Sequence, residues 1–428
     1  MRRVRLRSLL VVACVAALTH AAPAQEVLPV AALVAPLALP PLEPTRALIT
    51  ALPQVQAARA GVDLAQARGR QLAVGGYEWN LRLGGQERRE TAGPVHAESD
   101  VAIERSVRWG GKAEADSNLG QATETAGRLA YADTWHESVR GLLKAWYDWQ
   151  RERGMAMVQA RQLAVVQEQL QVASRRVKAG DAPRMDQLMA QAELDRVEAS
   201  AQQARSREQV QRQELLKRYP GVALSEVPAA SSPDQVQLPG EPAAWLQRIL
   251  ADNHEIELAE AEARQARLRS ERARLETRPD PLLGVRAARE RGGQENVVGV
   301  YISIPLAGEY REAQQRASLA EAQAAEQRLM QTRQRVEATA QRTVLQAASA
   351  LDVWRRLSAV QQAMDRVAQL AGKAYGLGEV TLTEALQARR TALEASQAAD
   401  AARWDALEGV ARVLVDAHQL WAAEEGGH

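Results

Sequence analysis

The chain has 428 residues, a formal net charge of +1 and a single cysteine. That balance offers no basic surface of the kind a nucleic-acid binder needs, and one cysteine rules out a disulfide framework. No stretch beyond the N-terminus reaches about 18 consecutive apolar residues, so no spanning helix is expected, and any membrane role must fall to β-strands.

Met1-Arg2-Arg3-Val4-Arg5-Leu6-Arg7 is a basic n-region, and the apolar run from Leu9 to Leu18 is too short to span a bilayer. Ala22-Pro23-Ala24 offers a cleavage site, so residues 1–24 read as a signal peptide and the mature chain begins at Gln25. Val11-Val12-Ala13-Cys14 loosely resembles a lipoprotein box. Residues 25–44 carry five prolines and read as an extended leader.

The first structural repeat is predicted over 45–220. Leu48, Leu52, Val55, Ala58, Val62 and Ala65 mark a helix that Gly75-Gly76 ends. The period then changes to two. Tyr77, Trp79, Leu81 and Leu83 alternate with polar residues, and Val101 and Ile103 do so again, predicting strands near 77–90 and 99–109. Lys112 opens a long helix. Its apolar positions Val139, Leu142, Trp146, Trp149, Ala156, Ala160, Leu163, Leu170 and Val177 follow the three- and four-residue steps of a coiled-coil seam. A turn near 176–186 leads to a returning helix that Pro220-Gly221 stops.

Residues 221–242 are a proline-rich linker, and 243–421 replay the first half. A helix from about Trp245 to Glu276 precedes strands near 282–291 and 296–306, a second long helix, a turn near 374–384 and a last helix; 422–428 is a tail. Gly378 follows Gly180 by 198 residues (378 − 180), and Glu384 and Leu386 follow Asp186 and Leu188 by the same step. Such a repeat decides the architecture before any single element does.

The fold class is therefore mainly α with a small β part, in two tandem helix–hairpin–long helix–helix repeats. Four strands with one apolar face cannot close a spanning barrel, which needs about eight. The strands must pair with other copies of themselves, and a homotrimer supplies twelve. Val298, Val300, Ile302 and Ile304, alternating with Gly299, Tyr301 and Ser303, are the expected lipid-facing positions.

This ordered set of paired strand-to-helix turns (Arg108-Trp109-Gly110-Gly111 and Ile304-Pro305-Leu306-Ala307-Gly308) and paired tips resembles the TolC family of outer-membrane efflux ducts over roughly 45–421. The resemblance implies a trimer with a twelve-stranded barrel in the outer membrane and an α-helical barrel in the periplasm. It implies an adaptor protein and an inner-membrane pump, of the resistance–nodulation–division type, as partners. It also implies that Tyr375, Asp186 and Glu384 form a periplasmic gate, and that Arg176, Gly180 and Gly378 belong to adaptor-docking tips. Two positions depart from the family pattern. Val380 stands where a basic residue often bridges the tips, and Gln387 where a second acid is common, so the gate acids are expected to lack a salt-bridge partner. In the second tip Ala374 replaces the arginine that Arg176 represents in the first.

Each site has a plainer reading. Asp186 and Glu384 also suit the first turn of a helix, where the dipole favours acids by a few tenths to about 1 kcal/mol. Tyr375 is equally a packing residue, and Arg176 equally a solvated charge. The six histidines are scattered, with no two at ligand spacing, and no metal site or cofactor is expected. No nucleophile–base set or paired-acid cleft points to an enzyme. A periplasmic coiled-coil adaptor or scaffold is the alternative function, but it would not carry four amphipathic strands at matched repeat positions.

Overall fold

The computed structural model describes residues 36–89, 91–224, 232–236 and 238–421. The expected signal peptide with Cys14, the middle of the linker and the tail lie outside the described residues.

The first repeat comprises α1 (Leu42–Ala51), α2 (Pro53–Val74), β1 (Asn80–Arg89), β2 (Val95–Ser106), α3 (Lys112–Ala179) and α4 (Arg184–Arg218). The second comprises α5 (Pro242–Ala251), α6 (His254–Glu276), β3 (Leu282–Glu290), β4 (Glu295–Ser303), α7 (Glu309–Leu377) and α8 (Leu382–Asp416). The long helices have 68 and 69 residues and the returning helices 35 each, so the duplication holds along the whole length of each hairpin. At 1.5 Å per residue, α3 is about 100 Å long.

Each predicted opening helix is broken in two. Pro53 starts α2 after an extended Leu52, because proline has no N–H to continue α1. Asn253 interrupts the second by accepting the backbone N–H of Ile256 at 3.1 Å, which starts α6 afresh. The leader also differs from expectation. Helix α1 begins at Leu42, and Leu37, Ala38 and Leu39 are buried. The carbonyls of Leu37 and Ala38 accept from Tyr147 Oη at 2.7 Å and Trp146 Nε1 at 2.8 Å, which anchors them to α3.

The four strands form one antiparallel sheet in the order β1-β2-β3-β4. Leu81, Ile103, Val285 and Val300 lie in one cross-strand row, and Leu83, Val101, Ala287 and Val298 in the row two residues on. Alternation therefore puts most of the large apolar side chains of the four strands on one face, with Val297 and Leu282 on the other. The first face is exposed, Val300 by 82%. Ile304 lies one residue beyond β4 and is also exposed. The opposite face is mainly polar: Arg82 Nη2 donates to Glu104 at 2.9 Å, and Tyr301 Oη donates to the same carboxylate. Trp79, Trp109 and Tyr310 stand exposed where the strands pass into the helices.

The main core gathers midway along α3. Trp135, Val139, Leu142, Leu143, Trp146 and Tyr147 pack with Leu215 of α4, Trp245 and Ile249 of α5, and Trp404 and Leu407 of α8. Below it the buried stripe of α3 is Val158, Gln162, Val166, Gln169 and Ala173. The predicted seam positions Ala156, Leu163, Leu170 and Val177 are only half-buried, and Ala160 is exposed. Because α3 packs against α4 and α8 at once, its buried stripe runs between the two neighbours and not along one partner.

Candidate functional site

Both tips are built the same way. Gly180 and Gly378 each take φ 83°, the left-handed conformation that closes a helix. Asp181 N–H bonds Arg176 O, and Glu379 N–H bonds Ala374 O, each at 2.9 Å. Past the turns the two differ. Helix α8 starts with a capping box: the Glu384 carboxylate accepts the Thr381 backbone N–H at 2.8 Å, and Glu384 N–H donates to Thr381 Oγ1 at 3.3 Å. The bond from the Thr381 backbone, followed by that from its hydroxyl, holds the Glu384 carboxyl below its usual range.

Asp186 makes no such cap. It accepts the Tyr375 hydroxyl at 3.0 Å, across 189 residues of sequence. Tyr375 is 1% exposed and packs among Ala173, Ala190, Leu382, Ala385 and Leu386. Arg176 lies 4.7 Å over its ring, donates to its carbonyl and donates to Asp181 O at 3.0 Å. Burial, then the Asp186 carboxylate, pushes the Tyr375 hydroxyl up to about 12, so it stays protonated and donating at neutral pH.

The structure thus brings Tyr375, Asp186, Arg176 and Gly378 into one cluster. A Cβ on Gly378 would lie 3.2 Å from Arg176 Nη2. Gly180 stands open at its own tip, and Glu384 keeps to its capping box. Asp186 and Glu384 are held by hydrogen bonds from Tyr375 and Thr381, neither of them a salt bridge, and Val380 packs on the tip core. Of the two readings of Arg176, the solvated charge does not hold: it is half-buried, and its guanidinium joins the two tips by donating to Tyr375 O and to Asp181 O.

No family model and no curated protein matches the sequence. Solved structures do. The outer-membrane channel OprN superposes with a TM-score of 0.74 at 17% identity, covering 88% of this chain and 90% of that one. The CmeC outer membrane channel of Campylobacter jejuni gives 0.71 at 11% identity, covering 90% and 86%. The outer membrane protein VceC of Vibrio cholerae gives 0.65 at 17%, covering 87% and 94%. This chain has the TolC fold.

Within the TolC fold, two groupings escaped the sequence reading. Glu193 of α4 is 3% exposed and accepts from Arg196 at 2.6 Å and from Arg390 of α8 at 2.7 Å. Burial pushes its carboxyl up, but the two arginines prevail and hold it below the usual range. It ties the two returning helices together near the tips. Its i,i+3 spacing to Arg196 looked like any helix-face pair.

The second grouping corrects the scattering of the histidines. His136 of α3, His254 of α6 and His418 after α8 meet with ring centroids 4.5–5.9 Å apart. Their ring nitrogens are turned to Asp416 Oδ1 (3.5 Å), Glu257 Oε2 (3.1 Å) and Asp252 O (2.7 Å). Among the described residues no group of three or more His, Cys, Asp or Glu is placed to hold a metal ion. Arg140 and Arg412 face the cluster through Asp416, and Glu255 through Arg140. Burial, then the neighbouring rings, lowers His418 to about 4, and burial lowers His136 as well.

The unfolded chain binds these protons near the ordinary value, 6.5. The folded chain refuses them, so stability is complete above that pH and falls as the pH drops toward 4. Thermal unfolding followed from pH 7 to 4.5 should show this loss, and His418→Asn should flatten it. Asparagine tolerates the left-handed backbone of this position, φ 56°. Equal slopes in parent and variant would remove the cluster from the acid response.

Proposed function

We propose that the chain is the outer-membrane duct of a tripartite efflux system, conducting substrates passively from an inner-membrane pump and a periplasmic adaptor to the outside. The observation that carries this reading is the sheet. One face is apolar across all four strands, β1 and β4 leave both edges unpaired among the described residues, and no described helix is long and apolar enough to cross a membrane. Lipid tolerates no open edge, so copies of the sheet must close on one another. Three copies make a twelve-stranded barrel, with Val298, Val300, Ile302 and Ile304 toward lipid.

A second stripe favours self-association. On the lower half of α7, Val353, Val360 and Val367 recur every seven residues, and Leu370 and Leu377 follow the same step, all exposed in the single chain. That is an unfilled coiled-coil seam. Membrane fractionation and native mass of the detergent-extracted protein test the reading. A trimer from the outer membrane is expected, and a soluble periplasmic monomer would overturn it.

The tips are assigned as the periplasmic gate. Three-fold symmetry gathers Asp186 and Glu384 into six carboxylates about one aperture, where their field favours cations. The Tyr375–Asp186 bond locks one repeat's tip to the other's. A hydrogen bond to a charged group contributes about 1.5–3 kcal/mol, so Tyr375→Phe should raise open-channel occupancy in planar bilayers by about tenfold or more. Asp186→Asn with Glu384→Gln should lower cation selectivity and weaken block by multivalent cations. Unchanged selectivity and block would return both acids to the role of helix-start residues.

Gly180 and Gly378 mark where an adaptor's helical hairpin docks, with Arg176 shaping the surface from within. Bulky substitution at Gly180 should reduce adaptor pull-down and leave the trimer intact. Undiminished pull-down would count against docking there.

A further inference from the structure

In the barrel proposed above, on which this inference rests, the apolar face of the sheet meets lipid and the β1–β2 and β3–β4 turns lie at its outer end. Two arginines interrupt that face, one on each side of the apolar rows of Val300 and Val298. Arg105 is on the helix side, in the row of Leu283 and Ile302. Its Nε donates to Tyr77 O at 2.7 Å, and its guanidinium lies 5.4 Å over the Trp79 ring. Arg289 is on the turn side, in an exposed polar row with Gly85, Ser99 and Asn296. It makes no hydrogen bond, ion pair or ring contact among the described residues. The acid of this face, Glu87, is paired with Arg89 at 3.4 Å. Gly293 leaves Arg289 room, since a Cβ there would stand 3.0 Å from its Nε.

The apolar belt is short. From Ile304 to Asn296 is eight residues (304 − 296), about 27 Å along a strand at 3.4 Å per residue. A strand tilt of about 40° reduces this to about 21 Å, where the lipid-facing apolar band of a barrel is about 25 Å tall. Arg289 therefore stands where an ordinary leaflet still has acyl chains, and arginine on a lipid face is unfavourable at that depth. The two rims also differ. Trp79, Trp109 and Tyr310 stand exposed at the helix side. No Trp or Tyr occurs between Leu83 and Val101 or between Ala287 and Val298, although barrels ordinarily carry aromatic girdles at both interfaces. The row of Ser99, Arg289 and Asn296 takes the place of the outer girdle.

We propose that this row seats the phosphate of an anionic outer-leaflet lipid, one on each protomer, drawn inward from the usual headgroup plane. Arg289 supplies the opposite charge and a planar fork that matches phosphate oxygens, and Ser99 and Asn296 supply further donors. The acyl chains lie along the apolar rows of Val298 and Val300. A free anion would meet the same charge but leave those rows uncovered, so the lipid gains from both parts of the site.

Native mass spectrometry of the full-length, detergent-extracted trimer, titrated with phosphatidylglycerol, counts the lipids held. Arg289 has no partner within the fold, so Arg289→Gln should assemble like the parent and weaken phosphatidylglycerol binding by about tenfold or more. Arg286→Gln removes the same charge from the opposite face of the same strand and should bind like the parent. Phosphatidylcholine, whose headgroup has no net charge, should bind weakly to all three, and millimolar inorganic phosphate should not displace phosphatidylglycerol. Equal binding by the parent and Arg289→Gln trimers overturns the proposal. So does displacement by inorganic phosphate, which would mark a site for free anions. A chain recovered only as a soluble monomer overturns the barrel itself, an outcome read before any lipid is counted.

Discussion

Replacing Asp416 by alanine should lower the stability of the folded chain by about 3 kcal/mol, the cost of leaving a buried charge without its partner. Asp416 is 2% exposed at the end of α8. It accepts from Arg140 Nε at 2.8 Å and Arg412 Nε at 2.9 Å. Burial pushes its carboxyl up, but the bond with His136 and the charges of Arg140 and Arg412 prevail and bring it down to about 2. Its stabilising contribution is therefore present at neutral pH and lost only as the pH falls toward 2, well below the histidine window. Arg140 is itself buried and keeps Glu255 at 3.1 Å, which limits the loss. Arg412 is a more exposed partner, so Arg412→Ala should cost under about 1 kcal/mol. Thermal unfolding of the two variants in detergent measures the difference. Equal losses would mean that the buried pair does not carry the joint.

Arginine in place of Val300 should prevent assembly. The residue sits in the apolar row with Leu81, Ile103 and Val285, and an arginine on the lipid face of a barrel costs about 2–4 kcal/mol near the midplane. Three copies would each pay it. Ser303 is on the opposite face with Tyr301, so Ser303→Arg should assemble like the parent. The readout is the amount of heat-stable oligomer recovered from outer membranes. Equal recovery for both variants would contradict the assignment of faces.

Much of the fold was legible because its signals are local. Gly180 and Gly378 need a backbone conformation that other residues resist, and this shows wherever a glycine follows a helical pattern. The strands announce themselves because successive side chains point to opposite faces. Proline positions were legible too, but their consequences were underread: Pro53 splits α1 from α2, whereas Pro44 sits harmlessly in the first turn of α1. The candidate tip residues came from a resemblance between ordered motifs. Composition and spacing said nothing of the bond between Tyr375 and Asp186.

The sequence by itself determined the order of elements, the duplication and the two faces of the sheet, because these follow from interactions within a few residues. Only the tertiary structure decided which stripe of α3 is buried, since two neighbours compete for it and the periodicity names neither. It alone brought His136, His254 and His418 together and set Arg140 against Asp416, 276 residues away. Such contacts join helices whose relative rotation is set by packing at the aromatic core. Rotation of α8 by one residue, about 100°, would aim Asp416 elsewhere, and nothing in the spacing of charged residues along either helix would record the change.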